Sequence, residues 1–103
     1  MTTPVDKQSY EAFFIAGNFV LVMEEGETIV LEECAVTAID KDGNDVSSTF
    51  LDQTTIAVAS ITKLKIRIRA GTQTASPYKV TFRIVTSLGN KYEVDAPCRV
   101  KEK

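Results

Sequence analysis

Strict alternation of apolar and polar positions is clearest in the second half of the chain. Over residues 63–69, three apolar residues alternate with four basic ones, and this two-residue period predicts a strand with one solvated face. Residues 78–84 alternate in the same way, and residues 91–100 do so after a Leu-Gly-Asn turn. The apolar positions that we expect in the core are Leu64, Ile66, Ile68, Tyr78, Val80, Phe82, Ile84, Tyr92, Val94, Ala96, Cys98 and Val100.

The first half of the chain is less regular but is still typical of β-structure. Residues 10–22 predict two short strand pieces joined by a kink or bulge at positions 17–18, which are Gly-Asn. Residues 28–39 predict a strand with a bulge near positions 32–33, where the alternation slips. No window combines helical spacing with a capping residue at its start, so we expect little helix.

Regular turn signals indicate how these strands are arranged. The Asp-Lys-Asp-Gly-Asn-Asp run at 40–45 predicts a tight turn, and residues 54–59 predict one more short strand. About seven short strands within 103 residues are typical of a two-sheet antiparallel sandwich. We therefore predict one domain over residues 1–103, an all-β, immunoglobulin-like antiparallel β-sandwich of about seven strands.

Tyr78 stands at the start of the predicted penultimate strand, after a connection rich in Gly, Ser, Thr and Pro. Immunoglobulin-like domains often place a corner tyrosine there, whose hydroxyl bonds to nearby backbone. Tyr78 is explained equally well as the first core aromatic of its strand.

The net charge of −2 is a cancellation between two oppositely charged halves. Residues 1–60 contain two basic and eleven acidic residues, a net charge of −9, whereas residues 61–103 contain ten basic and three acidic residues, a net charge of +7. Cross-strand pairing in a sandwich neutralises part of this charge. Any remainder leaves acidic and basic patches on one small body, which suits head-to-tail contacts between identical subunits. We therefore expect a homo-oligomer.

The composition argues against catalysis. The chain has no histidine, which removes Ser–His and Cys–His nucleophile activation and imidazole metal ligands. Paired carboxylates can cleave glycosides across a cleft, but a small sandwich of short strands has little room for one. We predict no enzymatic activity and no cofactor, and we interpret the acidic residues of the first half as a solvated turn and edge. These residues are Glu24, Glu25, Glu27, Glu32 and Glu33.

The acidic turn at 40–45 has the oxygen ligands that calcium prefers. An EF-hand loop starting at Asp40 needs glycine at its sixth position and glutamate at its twelfth, where this chain has Asp45 and Leu51. A solvated hairpin turn is therefore the better interpretation, and we predict no metal site.

The basic residues of the first alternating strand are the main candidate interaction surface, and we call them the basic ladder: Lys63, Lys65, Arg67 and Arg69. Such a stripe can track phosphates, solubilise a sheet face and discourage edge pairing, or form a protein contact. Nucleic-acid binding usually adds aromatics among the basic residues and an excess of positive charge. The aromatics of residues 63–84 fall on the apolar phase and the chain is slightly acidic, so we do not expect nucleic acid as a partner.

The remaining features concern the cellular setting. The N-terminus lacks the basic and apolar regions of a secretory signal, so we expect synthesis in a cytoplasm. The longest apolar runs are far too short to cross a bilayer, and we expect no membrane association. Cys34 and Cys98 can pair in principle, but a cytoplasmically made protein favours two buried thiols.

Six short motifs of the chain are considered together: Glu-Gly-Glu-Thr-Ile at 25–29, Asp-Lys-Asp-Gly-Asn-Asp-Val at 40–46, Gly71-Thr72, Tyr-Lys-Val-Thr-Phe at 78–82, Val-Thr-Ser-Leu-Gly-Asn-Lys-Tyr-Glu at 85–93 and a closing Val100. In these motifs the chain resembles small β-sandwich proteins encoded among the structural genes of tailed bacteriophages and prophages. The resemblance implies a virion component at the capsid surface, the head–tail junction or the tail, made in the bacterial host cytoplasm. Its implied partners are other phage structural proteins, and no catalytic residues come with it.

Two further hypotheses remain open besides a self-assembling or docking virion module. One is an accessory module that recognises a cell-surface glycan through loops at one end of the sandwich, for which Tyr10, Phe50 and Tyr92 are the available aromatics. The other is nucleic-acid binding through the basic ladder, which predicts affinity that falls steeply with salt.

Overall fold

The computed structural model describes residues 5–8, 10–69, 71–72 and 75–101. Two short helical segments interrupt an otherwise β-structured chain: a 3₁₀ turn at Leu31–Glu33 and a four-residue helix, α1, at Ser47–Phe50. The strands, in chain order, are β1 (Val5–Lys7), β2 (Phe13–Asn18), β3 (Ala35–Ile39), β4 (Leu51–Ser60), β5 (Lys63–Ile68), β6 (Tyr78–Val85) and β7 (Lys91–Val100).

The seven strands form two sheets with the order β1-β7-β6-β3 and β2-β5-β4. Every neighbouring pair is antiparallel except β1 and β7, which run parallel. The constant-type immunoglobulin arrangement has its second, fourth and fifth strands in one sheet and its third, sixth and seventh strands in the other. The present sheets match this arrangement. The exception is β1, which joins β7 instead of β2. The predicted immunoglobulin-like β-sandwich with little helix is confirmed.

The core lies between the sheets and is built from the alternating positions of the three C-terminal strands. Leu64, Ile66 and Ile68 of β5 are fully buried, and they face the apolar positions of β6 and β7. Gly17 of β2 belongs to the same packing, because a Cβ atom on it would lie 2.7 Å from Cγ of the buried Phe82. A side chain at position 17 would therefore collide with the opposite sheet.

Tyr78 serves both of the roles considered for it. Its ring stacks on that of Phe50, with centroids 4.2 Å apart and planes at 8°. The backbone N–H of Thr72 donates a 2.9 Å hydrogen bond to the Tyr78 hydroxyl. Tyr78 is therefore a core aromatic and also a corner tyrosine that ties the β5–β6 connection to the start of β6.

The predicted two-piece strand over residues 10–22 is wrong. Positions 17 and 18 pair in register with Leu64 and Lys63, without a kink, and the strand then ends. The Phe19 N–H donates to the Thr62 carbonyl and its side chain is buried, and the chain turns back with Met23 N–H bonded to the Phe19 carbonyl. Phe19 therefore marks the end of β2, and the apolar residues that follow it lie in a turn.

Two other segments also differ from their predictions. The slip in alternation near positions 32–33 is a 3₁₀ turn in place of a bulge, and β3 begins only after it. The short strand predicted at 54–59 is the middle of the ten-residue β4, whose pairing with β5 has two irregularities. The turn predicted at 40–45 is present, closed by the bridge between Ile39 and Asp45.

The two cysteines are free thiols, Cys34 half-buried and Cys98 buried. Burial raises the pKa of the Cys98 thiol to about 12, although the charge of nearby Lys7 opposes this rise. Within the described part of the chain, no helix is long and apolar enough to span a membrane.

Candidate interaction surfaces

Three residues of the basic ladder, Lys63, Lys65 and Arg67, lie on the outer face of β5, the central strand of the three-stranded sheet, and Arg69 directly follows the end of that strand. Lys63, Arg67 and Arg69 are exposed and Lys65 is half-buried. A central strand already has neighbours on both sides, so these charges do not act by protecting their own strand from edge pairing. The ladder instead provides positive charge in the middle of a sheet face.

An aromatic residue lies among these basic side chains. Phe14 of β2 is 42% exposed on the outer face, because antiparallel pairing places it opposite Arg67 and places Ala16 opposite Lys65. Its ring centroid is 4.6 Å from the Lys65 Nζ and 4.9 Å from the Arg67 Cζ, within the range of cation–π contacts. The expectation that no aromatic lies among the basic residues is therefore wrong, since it considered only residues 63–84.

At the other end of the ladder, Arg69 contacts acidic and carbonyl oxygens. Its guanidinium lies 3.9 Å from the Asp52 carboxylate and donates to the Ser48 carbonyl. The Thr54 hydroxyl donates to Asp52 and lowers the pKa of that carboxyl, burial raises it, and the Arg69 charge lowers it further. Asp52 therefore stays ionised and neutralises part of the ladder.

The opposite charges of the two chain halves cancel only in part within the sandwich. Among the described residues, two ion pairs join the halves, Arg69 with Asp52 and Arg99 with Asp6. Two more form within the second half, between β6 and β7, in line with their cross-strand register. All four pairs are substantially exposed, so each contributes about 0–1 kcal/mol to stability.

A second surface lies at the end of the sandwich where the β2–β3, β4–β5 and β6–β7 connections meet. The β2–β3 connection contacts both of the others, because Phe19 N–H bonds to Thr62 and Ile29 forms a bridge with Thr86. These connections carry six exposed apolar side chains. One of them, Leu31, lies in the 3₁₀ turn before β3. We call the other five the apolar loop end: Val20, Leu21, Val22, Ile61 and Leu88. Monomeric proteins seldom gather apolar side chains on the surface without a binding role.

Glu27 holds two of these connections together. It is only 1% exposed, and its carboxylate accepts hydrogen bonds from the Thr86 hydroxyl, the Asn90 amide, the Tyr92 hydroxyl and the Glu24 N–H. Burial raises the pKa of Glu27, but these hydrogen bonds outweigh it and leave the pKa below its ordinary value. Glu27 is therefore a fixed anion inside the loop end.

This position of Glu27 corrects the interpretation of the five glutamates as a solvated turn and edge. The other four are exposed, but Glu27 is buried. No pattern in the sequence distinguishes it, because its partners Thr86, Asn90 and Tyr92 lie about sixty residues away. A carboxylate that accepts four hydrogen bonds from its surroundings stabilises the loops and is poorly suited to general acid catalysis.

The acidic turn at 40–45 is organised by hydrogen bonds within itself. The Asp40 carboxylate accepts from the Asp42 and Asn44 N–H groups and from the Asn44 side chain. The bonds from Asn44 lower the pKa of Asp40, burial raises it, and the other turn N–H groups lower it further. Within the described ranges, no cluster of three or more His, Cys, Asp or Glu side chains is arranged to hold a metal ion.

The three aromatics considered for glycan recognition do not form one surface. Phe50 is buried in the core, and Tyr92 is half-buried with its hydroxyl on Glu27. Tyr10 is 98% exposed but precedes β2 at the end opposite the apolar loop end. In the part of the chain that the structure describes, these three residues therefore form no aromatic platform at the loops.

Compared with known proteins, the chain matches no protein-family model, and no curated protein has a significantly similar sequence. The grounds for a functional proposal are therefore the sequence motifs, the fold and the surfaces described above. The fold and the surfaces define an immunoglobulin-like sandwich with an apolar loop end and a basic outer sheet face.

Proposed function

We propose that this protein is a non-enzymatic interaction module, a bacteriophage virion component that self-assembles or docks onto a symmetric assembly through its apolar loop end. The observation that carries the proposal is the gathering of Val20, Leu21, Val22, Ile61 and Leu88 on three connections at one end of the sandwich. Exposed apolar side chains lower the free energy of the system only when a partner covers them and removes them from water.

The size of this surface favours an assembly over a free dimer. The exposed fractions of the five residues amount to about three whole side chains, whose complete burial contributes roughly 5–9 kcal/mol. Association of two proteins costs roughly 4–15 kcal/mol in lost freedom and ordering. One such contact therefore holds two free copies together only weakly, whereas several contacts acting together in a closed assembly hold firmly.

The virion setting rests on the sequence motifs that resemble phage structural proteins, and the immunoglobulin-like sandwich is compatible with it. In this setting the protein is made in the bacterial host cytoplasm and then becomes part of the particle. Its partners are further copies of itself and other structural proteins of the phage.

Co-expression with the products of the genes on either side tests the proposal. Wild-type protein and the Leu21→Asp variant are purified with each neighbour, and the mass of each complex is measured by light scattering. Leu21 is 78% exposed, so the substitution leaves the fold intact while placing a charge in the proposed contact. Tyr10→Asp is the matched control, since it adds the same charge at an exposed site at the opposite end.

We expect wild type and Tyr10→Asp to form a complex or a homo-oligomer and Leu21→Asp to lose it. A wild-type protein that stays monomeric alone and with every neighbouring structural protein would refute the function. A complex that survives Leu21→Asp would instead show that another surface makes the contact.

A further inference from the structure

We infer that the outer edge of β2 is a strand-addition site for an extended, acidic peptide segment of a partner. β2 has β5 on one side, and no described strand pairs with its other side. In the constant-type immunoglobulin arrangement the first strand covers this edge, but here β1 pairs with β7 on the other sheet. An uncovered edge presents unpaired N–H and C=O groups to which another chain can bind.

The other three sheet edges are each protected. β1 has only three residues. Side chains bond to the backbone of β3, since the Gln53 amide donates to the Val36 carbonyl and Ala38 N–H donates to the Ser47 hydroxyl. The pairing of β4 with β5 is interrupted, and the Thr55 hydroxyl accepts from Arg67 N–H in place of a backbone carbonyl. Short strands, covered backbone and bulges all discourage strand addition.

Within the described part of the chain, β2 shows none of these protections from Phe13 to Gly17. Its six residues, Phe-Phe-Ile-Ala-Gly-Asn, include no charged residue and no proline. They pair with β5 at every position from Phe13 to Asn18 without a bulge. An incoming strand therefore meets a regular backbone, which it can extend by antiparallel or parallel pairing.

The charge on the outer face indicates which strand fits. The cationic groups of Lys65 and Arg67 extend from β5 over the ring of Phe14 on β2. Their charges are thus carried toward the open edge, within reach of side chains on a strand added there. Acidic residues on the outer face of the added strand would form ion pairs with Lys65 and Arg67. The residues that alternate with them would point to the inner face of the sheet, where Phe13 is half-buried against the core.

A second copy of this chain fits the edge less well. Two-fold pairing of β2 with itself would place the Phe14, Lys65 and Arg67 groups of both copies on one continuous sheet face. The like charges would then repel each other across the junction. Charge complementarity therefore favours a segment in which acidic and apolar residues alternate.

Peptide binding measured by fluorescence anisotropy at low ionic strength tests this inference. The probe is a short fluorescent peptide of alternating glutamate and valine. One control peptide has lysine in place of glutamate, and another carries N-methyl groups on alternate backbone nitrogens, which removes the donors on one edge. Single-stranded oligothymidylate tests whether the same face binds nucleic acid instead.

We expect the glutamate peptide to bind saturably, to slow amide hydrogen exchange within β2 and to outcompete both control peptides. The double variant Lys65→Glu/Arg67→Glu should weaken binding about tenfold or more, since each reversal replaces an attraction with a repulsion. The control Lys41→Glu/Lys91→Glu, with the same change in net charge at two exposed sites elsewhere, should bind as wild type does.

Three results would overturn the inference: no saturable binding of the glutamate peptide, equal binding of the N-methylated peptide, or binding of oligothymidylate alone. This site is distinct from the apolar loop end. Leu21→Asp should therefore bind the peptide normally, so that failure here and failure of the proposed function are separate outcomes.

Discussion

Removing the Tyr78 hydroxyl tests whether the corner tyrosine stabilises the sandwich. In Tyr78→Phe the ring can keep its stacking on Phe50, but the Thr72 N–H loses the acceptor that lies 2.9 Å away. Tyr78 is 5% exposed, so the bond is partly shielded from water. Loss of one such bond costs about 1–2 kcal/mol, which for a domain of this size lowers the melting temperature by about 5–15 °C.

Urea denaturation followed by circular dichroism measures this change in the free energy of unfolding. Tyr10→Phe is the matched control, because the Tyr10 side chain is almost fully exposed and the loss of its hydroxyl should change stability little. If Tyr78→Phe is as stable as Tyr10→Phe, the hydrogen bond to Thr72 does not contribute, and the reasoning about the corner is refuted.

Three other substitutions or treatments probe the packing and the buried groups. Gly17→Ala should destabilise the fold by about 1–3 kcal/mol, because the new methyl group would meet the ring of Phe82 at 2.7 Å; an unchanged urea midpoint would contradict this packing. Burial raises the pKa of Glu27, but its hydrogen bonds lower it by more, so that the pKa lies below the ordinary 4.5. The charge of Glu27 therefore stabilises the fold at pH values above 4.5, and this benefit is lost as the pH falls through the lower folded-state pKa. Glu27→Gln should therefore lower the melting temperature near neutral pH, and its difference from wild type should shrink in acid; a difference independent of pH would refute this. Cys98, buried and with its pKa raised to about 12, should resist alkylation by iodoacetamide until the protein is denatured, whereas half-buried Cys34 should react first, as followed by peptide mass.

Alternation along the chain was sufficient to predict the C-terminal strands and the sandwich class. A residue period of two reports which side chains share a face, and β5, β6 and β7 keep that period over their whole length. The same information failed around Phe19. There, five apolar residues in succession looked like a strand, but a backbone bond to Thr62 and burial of one ring end it.

The functional surfaces depend on strand register and on distant partners, which periodicity does not report. Phe14 lies among the basic residues only because β2 pairs with β5 in a register that sets it opposite Arg67. Glu27 is buried because three side chains from β7 and the connection before it donate hydrogen bonds to its carboxylate: Thr86, Asn90 and Tyr92. The basic ladder itself was visible in the sequence, but not that its strand is central.

Sedimentation velocity at low and high salt, on the protein mixed with its neighbouring structural proteins, tests the central claim most directly. Contact through Val20, Leu21, Val22, Ile61 and Leu88 is apolar, so the account predicts an assembly that persists in concentrated salt and is lost in Leu21→Asp. An assembly that dissociates when salt is added, yet forms normally in Leu21→Asp, would show that charged surfaces make the contact. It would contradict the assignment of the apolar loop end as the contact surface.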